Sequence, residues 1–322
     1  MTLPVQEGGA WSYDALLTRD DAPAGSSWKL FGPRDDLGTL NFLTDECVRA
    51  AAALVRRGAV FNLDHPIGAF DPPPAAHRES VRHEVIEYRP DHLDDYLDNF
   101  YLQGSSHIDG LRHVAHATYG FYNNAPRDEL RSGSPTLGID RWVERGIVGR
   151  GVLLDVARFF ERRGQPLDHE HSDAIGPAML DAAAAEQEVE LRPGDIVLVR
   201  TDWPRYYGQK RDEGSGGLSC NAGLEQSRDM LRWIWEGRFS VVAADNFALE
   251  AYPPPANPDF YDQGLMHPEL IAMLGLVVGE LWALDGLAAD CAQDGVFEFM
   301  VVVKPLHIVG AVGSPANATA LK

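Results

Sequence analysis

A chain of 322 residues with 45% hydrophobic content is long enough to bury a large core unaided. Its formal charge of −20, from 48 acidic against 28 basic side chains, repels polyanions, so neither nucleic acid nor an anionic membrane is expected as a partner. Cys47, Cys220 and Cys291 are far apart and form no Cys-x-x-Cys pair, which argues against a disulfide framework or a thiolate zinc site and leads us to expect a cytoplasmic protein. The first residues lack the basic start and apolar run of a signal peptide, and the most apolar run, 270–279, is too short to span a bilayer.

Residues 1–42 are rich in Gly, Pro, Asp and Trp without a sustained period; this predicts an irregular N-terminal arm, anchored by Trp28 and Phe31, on a single domain spanning 43–322. Thr44 is placed to cap a helix running through Val48, Ala51, Ala52 and Val55, with Arg56 and Arg57 in its last turn and Gly58 as the stop. A short strand is predicted at 60–63. The run 81–88 alternates as a half-buried strand does, and the acidic stretch 91–98 reads as a loop. Strong strand signals follow at 151–156, 195–200, 240–244 and 299–303, with helical stretches at 177–187 and 225–235. Strands alternating with helices predict an α/β architecture. The glycine-rich stretch 212–217 reads as a mobile surface loop; it follows no strand and carries no Gly-Lys-Ser/Thr, so it is not a phosphate cradle. No Gly-x-Ser-x-Gly elbow of a serine hydrolase occurs.

The chemistry concentrates in Gln103-Gly104-Ser105-Ser106-His107-Ile108-Asp109-Gly110-Leu111-Arg112-His113. In an extended chain, His107 and Asp109 share one face and can reach one ion. Gly110 permits a sharp turn, after which His113 can return beside them, either as a further ligand or as a proton carrier. An ion held by one imidazole and one carboxylate needs further ligands, and 266–280 is the richest source of them. There His267 precedes a helix started by Pro268 and ended near Gly275. Glu280 is the lone acid in the apolar run 276–284, a costly placement unless it is coordinated or paired, whether with a buried arginine or a helix end. His307 reads as a core histidine in a strand. Phe121 and Trp203 have the flat apolar faces needed to stack on an aromatic substrate, and equally the size to serve as packing.

These segments, taken in order with Asp35-Asp36-Leu37-Gly38-Thr39-Leu40-Asn41, Gly151-Val152-Leu153-Leu154-Asp155, Arg192-Pro193-Gly194-Asp195, Ala244-Asp245-Asn246 and Gly310-Ala311-Val312-Gly313-Ser314-Pro315, resemble a known family. It is the metal-dependent cyclase-like hydrolases, which include bacterial kynurenine formamidase and isatin hydrolase. The family motif is His-x-Gly-Thr-His-x-Asp-x-x-x-His. The resemblance implies the swivelling β/β/α fold, with His107, Asp109, His267 and Glu280 as metal ligands and His113 as the catalytic proton carrier. The first motif histidine falls on Gln103 here, and the Gly-Thr pair on Ser105-Ser106. A neutral amide is a poor substitute for imidazole on zinc, so one divalent ion per subunit, Zn2+ or Mn2+, is expected, with Gln103 orienting substrate or water.

The expected activity is metal-assisted hydrolysis of a small-molecule cyclic amide, cyclic imide or formamide. Its rivals are a lactone hydrolase, a ring-forming cyclase, and, in a different class, a small-molecule binding protein that has lost turnover. The resemblance also implies a homo-oligomer, a homodimer or homotetramer.

Overall fold

Uninterrupted runs of Val, Ile and Leu form the centre of a sheet whose two faces are both covered, because strands buried on both sides carry apolar residues throughout. The computed structural model describes residues 12–214, 219–255, 260 and 264–322. In chain order its strands are β1 (Val60–Asn62), β2 (Arg82–Arg89), β3 (His92–Asp98), β4 (His107–Asp109), β5 (Ile147–Asp155), β6 (Ala174–Ile175), β7 (Ile196–Arg200), β8 (Gly223–Leu224), β9 (Val241–Ala244), β10 (Val277–Glu280), β11 (Glu298–Val303), β12 (Gly313–Pro315) and β13 (Ala318–Leu321). Nine of them make one sheet in the order β1-β13-β11-β5-β7-β9-β10-β4-β12. Its centre, β5-β7-β9-β10, is parallel, and β11 and β4 flank it antiparallel.

Side chains on successive strand positions point to opposite faces, and the core divides accordingly. Leu153, Leu198, Ala243 and Val277 pack in one apolar layer, and Val152, Leu154, Val197, Val199, Val242 and Val278 in the other. The helices Pro177–Glu186 and Arg228–Gly237 contribute Leu180, Ala183, Met230 and Ile234 to that second layer. Ser227 caps the latter helix by accepting from Met230 N at 3.1 Å.

The arm is tied to this core. Trp28 is 4% exposed and its indole N–H donates to Ala272 O at 2.6 Å. Phe31 meets Phe42 edge-on at 5.3 Å between centroids. The arm also contains a short helix, Tyr13–Leu17, and a 3-10 turn, Gly38–Phe42, and its residues 1–11 lie outside the described part.

Several expectations need correcting. The helix capped by Thr44 ends at Ala52, so Arg56 and Arg57 lie beyond it, and Arg57 instead pairs with Asp290 at 2.6 Å. The strand expected to be half-buried is exposed along its whole length, and most of the supposed acidic loop is its partner: β2 and β3 form a separate hairpin. Alternation marks a face that can be covered, but none of the described residues covers it. The acidic residues are tolerated because exposed strand positions stay solvated and pair across the ladder, as His83 does with Asp95 at 2.7 Å. His307 is exposed and lies outside any strand. Of the predicted loop at 212–217, Asp212 ends the helix Trp203–Asp212, and residues 215–217 lie outside the described part. No helix among the described residues is long and apolar enough to cross a membrane.

Candidate metal centre

The site is built where β4 is inserted between β10 and β12. Alternation along β4 turns Ile108, fully buried, into the core and leaves His107 and Asp109 together on the other face. The antiparallel register sets Glu280 directly opposite His107. Two glycines allow the strands to close up. A Cβ on Gly110 would lie 2.5 Å from Val312 O, and one on Gly279 would lie 2.5 Å from Ala243 Cβ. The Trp282 indole N–H then holds the His107 carbonyl at 2.9 Å.

His107 and Asp109 are each 1% exposed and Glu280 5%. His107 Nε2 lies 3.2 Å from Glu280 Oε2 and 3.6 Å from Asp109 Oδ1. A ligand atom from each of the three falls within 4.8 Å of the others. His107 Nδ1 donates to Ser105 O at 2.7 Å, which leaves Nε2 as the lone-pair nitrogen facing the carboxylates. That Nε2 and Asp109 Oδ2 are buried and make no hydrogen bond. Buried polar atoms are normally partnered, and here an imidazole nitrogen and two carboxylates converge on one another. The donor set of imidazole nitrogen and carboxylate oxygens therefore fits a divalent cation.

His267 closes the group from the far side. It immediately precedes the π-helical turn Pro268–Met273, with Nε2 3.0 Å from Glu280 Oε1 and Nδ1 2.5 Å from Glu250 Oε1. Burial opposes its charged form, but the hydrogen bonds to Glu250 and Glu280 outweigh burial and raise the imidazole well above its ordinary value. Burial alone would raise Glu280, yet the two imidazoles beside it hold its carboxyl below the usual range. His107 is likewise raised, the neighbouring carboxylates overcoming desolvation.

His113 returns to the site through the turn bond from its N–H to Gly110 O at 2.9 Å. Its Nε2 is 3.9 Å from Asp109 Oδ1, and its side chain, 27% exposed, is the most accessible of these imidazoles. Burial pushes it below the ordinary histidine value, with Asp109 only partly offsetting this. The Gln103 amide N–H2 donates to Asp109 Oδ1 and lies 3.1 Å from His113 Nδ1. Donation to Nδ1 places the ring proton of neutral His113 on Nε2.

The family model Cyclase matches residues 52–251. The chain belongs to the cyclase family. A crystal structure described as a novel cyclase shares 35% identity with a TM-score of 0.80, covering 92% of this chain and 99% of that one. Isatin hydrolase A from Labrenzia aggregata, bound to benzyl benzoate, has a TM-score of 0.56 at 16% identity over 84% of this chain and 94% of its own. An isatin hydrolase bound to the product analogue thioisatinate has a TM-score of 0.56 at 18% identity, with the same coverage. At those identities the isatin hydrolases share the fold, the α/β arrangement implied by the sequence resemblance. No curated protein matches the chain in sequence.

In this cyclase-family chain the fold brings together His107, Asp109, His267, Glu280, His113 and Gln103. Trp203 and Phe121 serve as packing. Trp203 is 0% exposed, packed with Phe70, Tyr207 and Leu281 and donating its indole N–H to Cys220 O at 2.8 Å; it has no face left for a ligand. Phe121 packs against the core, with the Arg127 guanidinium 6.0 Å from its ring centroid. Glu250 is the site residue that sequence reasoning missed. Its signal was present, since Phe247-Ala248-Leu249-Glu250-Ala251 is another apolar run broken by one acid, the same pattern that singled out Glu280.

Proposed function

We propose that this protein is a metal-dependent hydrolase of a small cyclic amide, cyclic imide or formamide, with one Zn2+ or Mn2+ per subunit. The observation that carries the reading is the unsatisfied pair His107 Nε2 and Asp109 Oδ2, facing Glu280 in a buried cradle beside the accessible His113. A bound divalent cation there supplies Lewis acidity, polarising a carbonyl and making water acidic near neutrality.

The chain's own groups divide the remaining work. His107, Asp109, Glu280 and His267 hold the ion. Neutral His113 takes a proton from the water that forms the new C–O bond and, as imidazolium, hands its Nε2 proton to the nitrogen that leaves as the C–N bond breaks, ending neutral again. Gln103 fixes Asp109 and His113 relative to one another through its amide. The isatin hydrolases, which share the fold, act on a cyclic amide fused to an aromatic ring, and this supports cyclic amides as the first compounds to assay. The test is hydrolysis of cyclic imides, cyclic amides, formamides and lactones by the zinc- or manganese-loaded protein. Ring opening that requires the ion supports the reading; equal rates after chelation and ion removal would sink it. Preference for lactones would move the assignment to that rival.

The reading includes a homo-oligomer, and the β2–β3 hairpin supports it. Val85 is 58% exposed, Leu93 71%, and Ile86, Tyr88 and Tyr96 are exposed with them, although a two-stranded hairpin is marginal in water without a covering layer. A second copy of the chain is the proposed cover. Light scattering on the purified protein distinguishes a dimer or tetramer from a monomer.

A further inference from the structure

Glu250 is fully buried, and the hydrogen bonds of its carboxylate converge on His267 and the residue before it. Oε1 accepts from His267 N at 3.0 Å and faces His267 Nδ1 at 2.5 Å, while Oε2 accepts from Met266 N at 2.7 Å. A carboxylate needed only to hold this turn would be satisfied by the backbone N–H groups; the contact to the ring is additional.

The backbone around it is held under strain. Leu249, just before Glu250, has φ 55°, and Leu281, just after Glu280, has φ 58°. A left-handed leucine persists only where its surroundings enforce it, at a cost on the order of 1–3 kcal/mol. Leu281 N donates to Asn246 O at 2.8 Å, and Asn246 Nδ2 donates to Leu249 O at 3.3 Å. One buried asparagine thus links the two strained leucines, and with them the chain positions of Glu250 and Glu280.

We propose that Glu250 is a positioning residue that holds His267 with its proton on Nδ1 and its Nε2 lone pair aimed into the cradle beside Glu280, making His267 the fourth ligand. This rests on the metal-dependent reading above. A ligating histidine whose second nitrogen donates to a carboxylate is fixed in tautomer and orientation, and losing such a partner typically weakens metal binding by roughly 10- to 100-fold.

The experiment is zinc affinity of the full chain, measured by competition with a chelating indicator, for wild type, Glu250→Gln, His267→Gln and the double variant. The expected result is a loss of roughly 10- to 100-fold in Glu250→Gln and no further loss when Glu250→Gln is added to His267→Gln. Asp245→Asn, a buried carboxylate that touches none of the site residues, should bind zinc as wild type does. Wild-type affinity in Glu250→Gln, or an equal further loss in the double variant, overturns the proposal and leaves the hydrolase reading standing. No zinc bound by the wild type overturns both. Should Glu250→Gln fail to fold, nitrogen-15 NMR of the zinc-loaded wild type decides. A protonated Nδ1 and a zinc-shifted Nε2 on His267 support the proposal, and zinc on Nδ1 overturns it.

Discussion

Two buried groups of histidine and aspartate differ in whether their polar atoms are used. Beyond the ends of β7 and β9, Asp245 accepts from Thr201 N and Oγ1, each at 2.7 Å, and from Asp202 N at 2.8 Å. Nearby, His169 Nε2 donates to Thr201 O and its Nδ1 accepts from Ala222 N, both at 3.1 Å. In the β4–β10 cradle, His107 Nε2 and Asp109 Oδ2 have no hydrogen bond. The residue types and burial are alike. A satisfied cluster fixes the chain, whereas bare ligand atoms that converge on one point suit a cation.

The largest effect that sharpens this contrast belongs to His113→Ala. Turnover should fall about 10²- to 10⁴-fold, the ordinary worth of a positioned proton carrier, with metal content unchanged. Loss of the ion in that variant would make His113 a ligand instead.

Next comes acid sensitivity at the satisfied cluster. Burial lowers His169 to about 4, and protonating Nδ1 would also break the bond from Ala222 N. A group depressed from its ordinary 6.5 contributes stability that is fully present above that value. The contribution is lost as pH falls through 4, about 3 kcal/mol in all. Urea unfolding from pH 7 to pH 4 should show this slope, and His169→Gln should flatten it. A slope unchanged by the substitution would place the acid sensitivity elsewhere.

A smaller loss is expected from Asp245→Asn, because one of its three backbone and hydroxyl donors then faces an amide N–H2. Stability should drop by roughly 1–3 kcal/mol in denaturant melts, with turnover per folded molecule intact. Reduced turnover in folded protein would mean that the two clusters are coupled. Gln103→Ala should have the smallest effect, with kcat about tenfold lower and the ion retained. An ion lost with Gln103 would show that the amide holds the cradle itself.

Much of the site was legible because its geometry is local. The His107-x-Asp109 pairing follows from strand alternation, the turn that returns His113 from the glycine at 110, and Glu280 from the cost of a lone acid in an apolar run. What was illegible depends on what lies across the molecule. Alternation in β2 signals a covered face, but no described residue of this chain covers it. Trp203 presents the same aromatic surface in sequence whether it meets a ligand or, as here, Phe70 and Tyr207. His169 and His107 are indistinguishable as letters; only the carbonyl of Thr201 and the N–H of Ala222 make one of them structural. Asp245-Asn246, first noticed only as a landmark, proves to brace both Thr201 and the strained leucines beside the site acids.

Elemental analysis of metal per chain, on protein purified without chelator or histidine tag, tests the central claim most directly. About one zinc or manganese ion per chain is expected in the wild type and in Asp245→Asn, and none in Asp109→Ala. A wild type that holds no ion even after zinc and manganese are added back, or an Asp109→Ala variant that keeps a full complement, would contradict that claim.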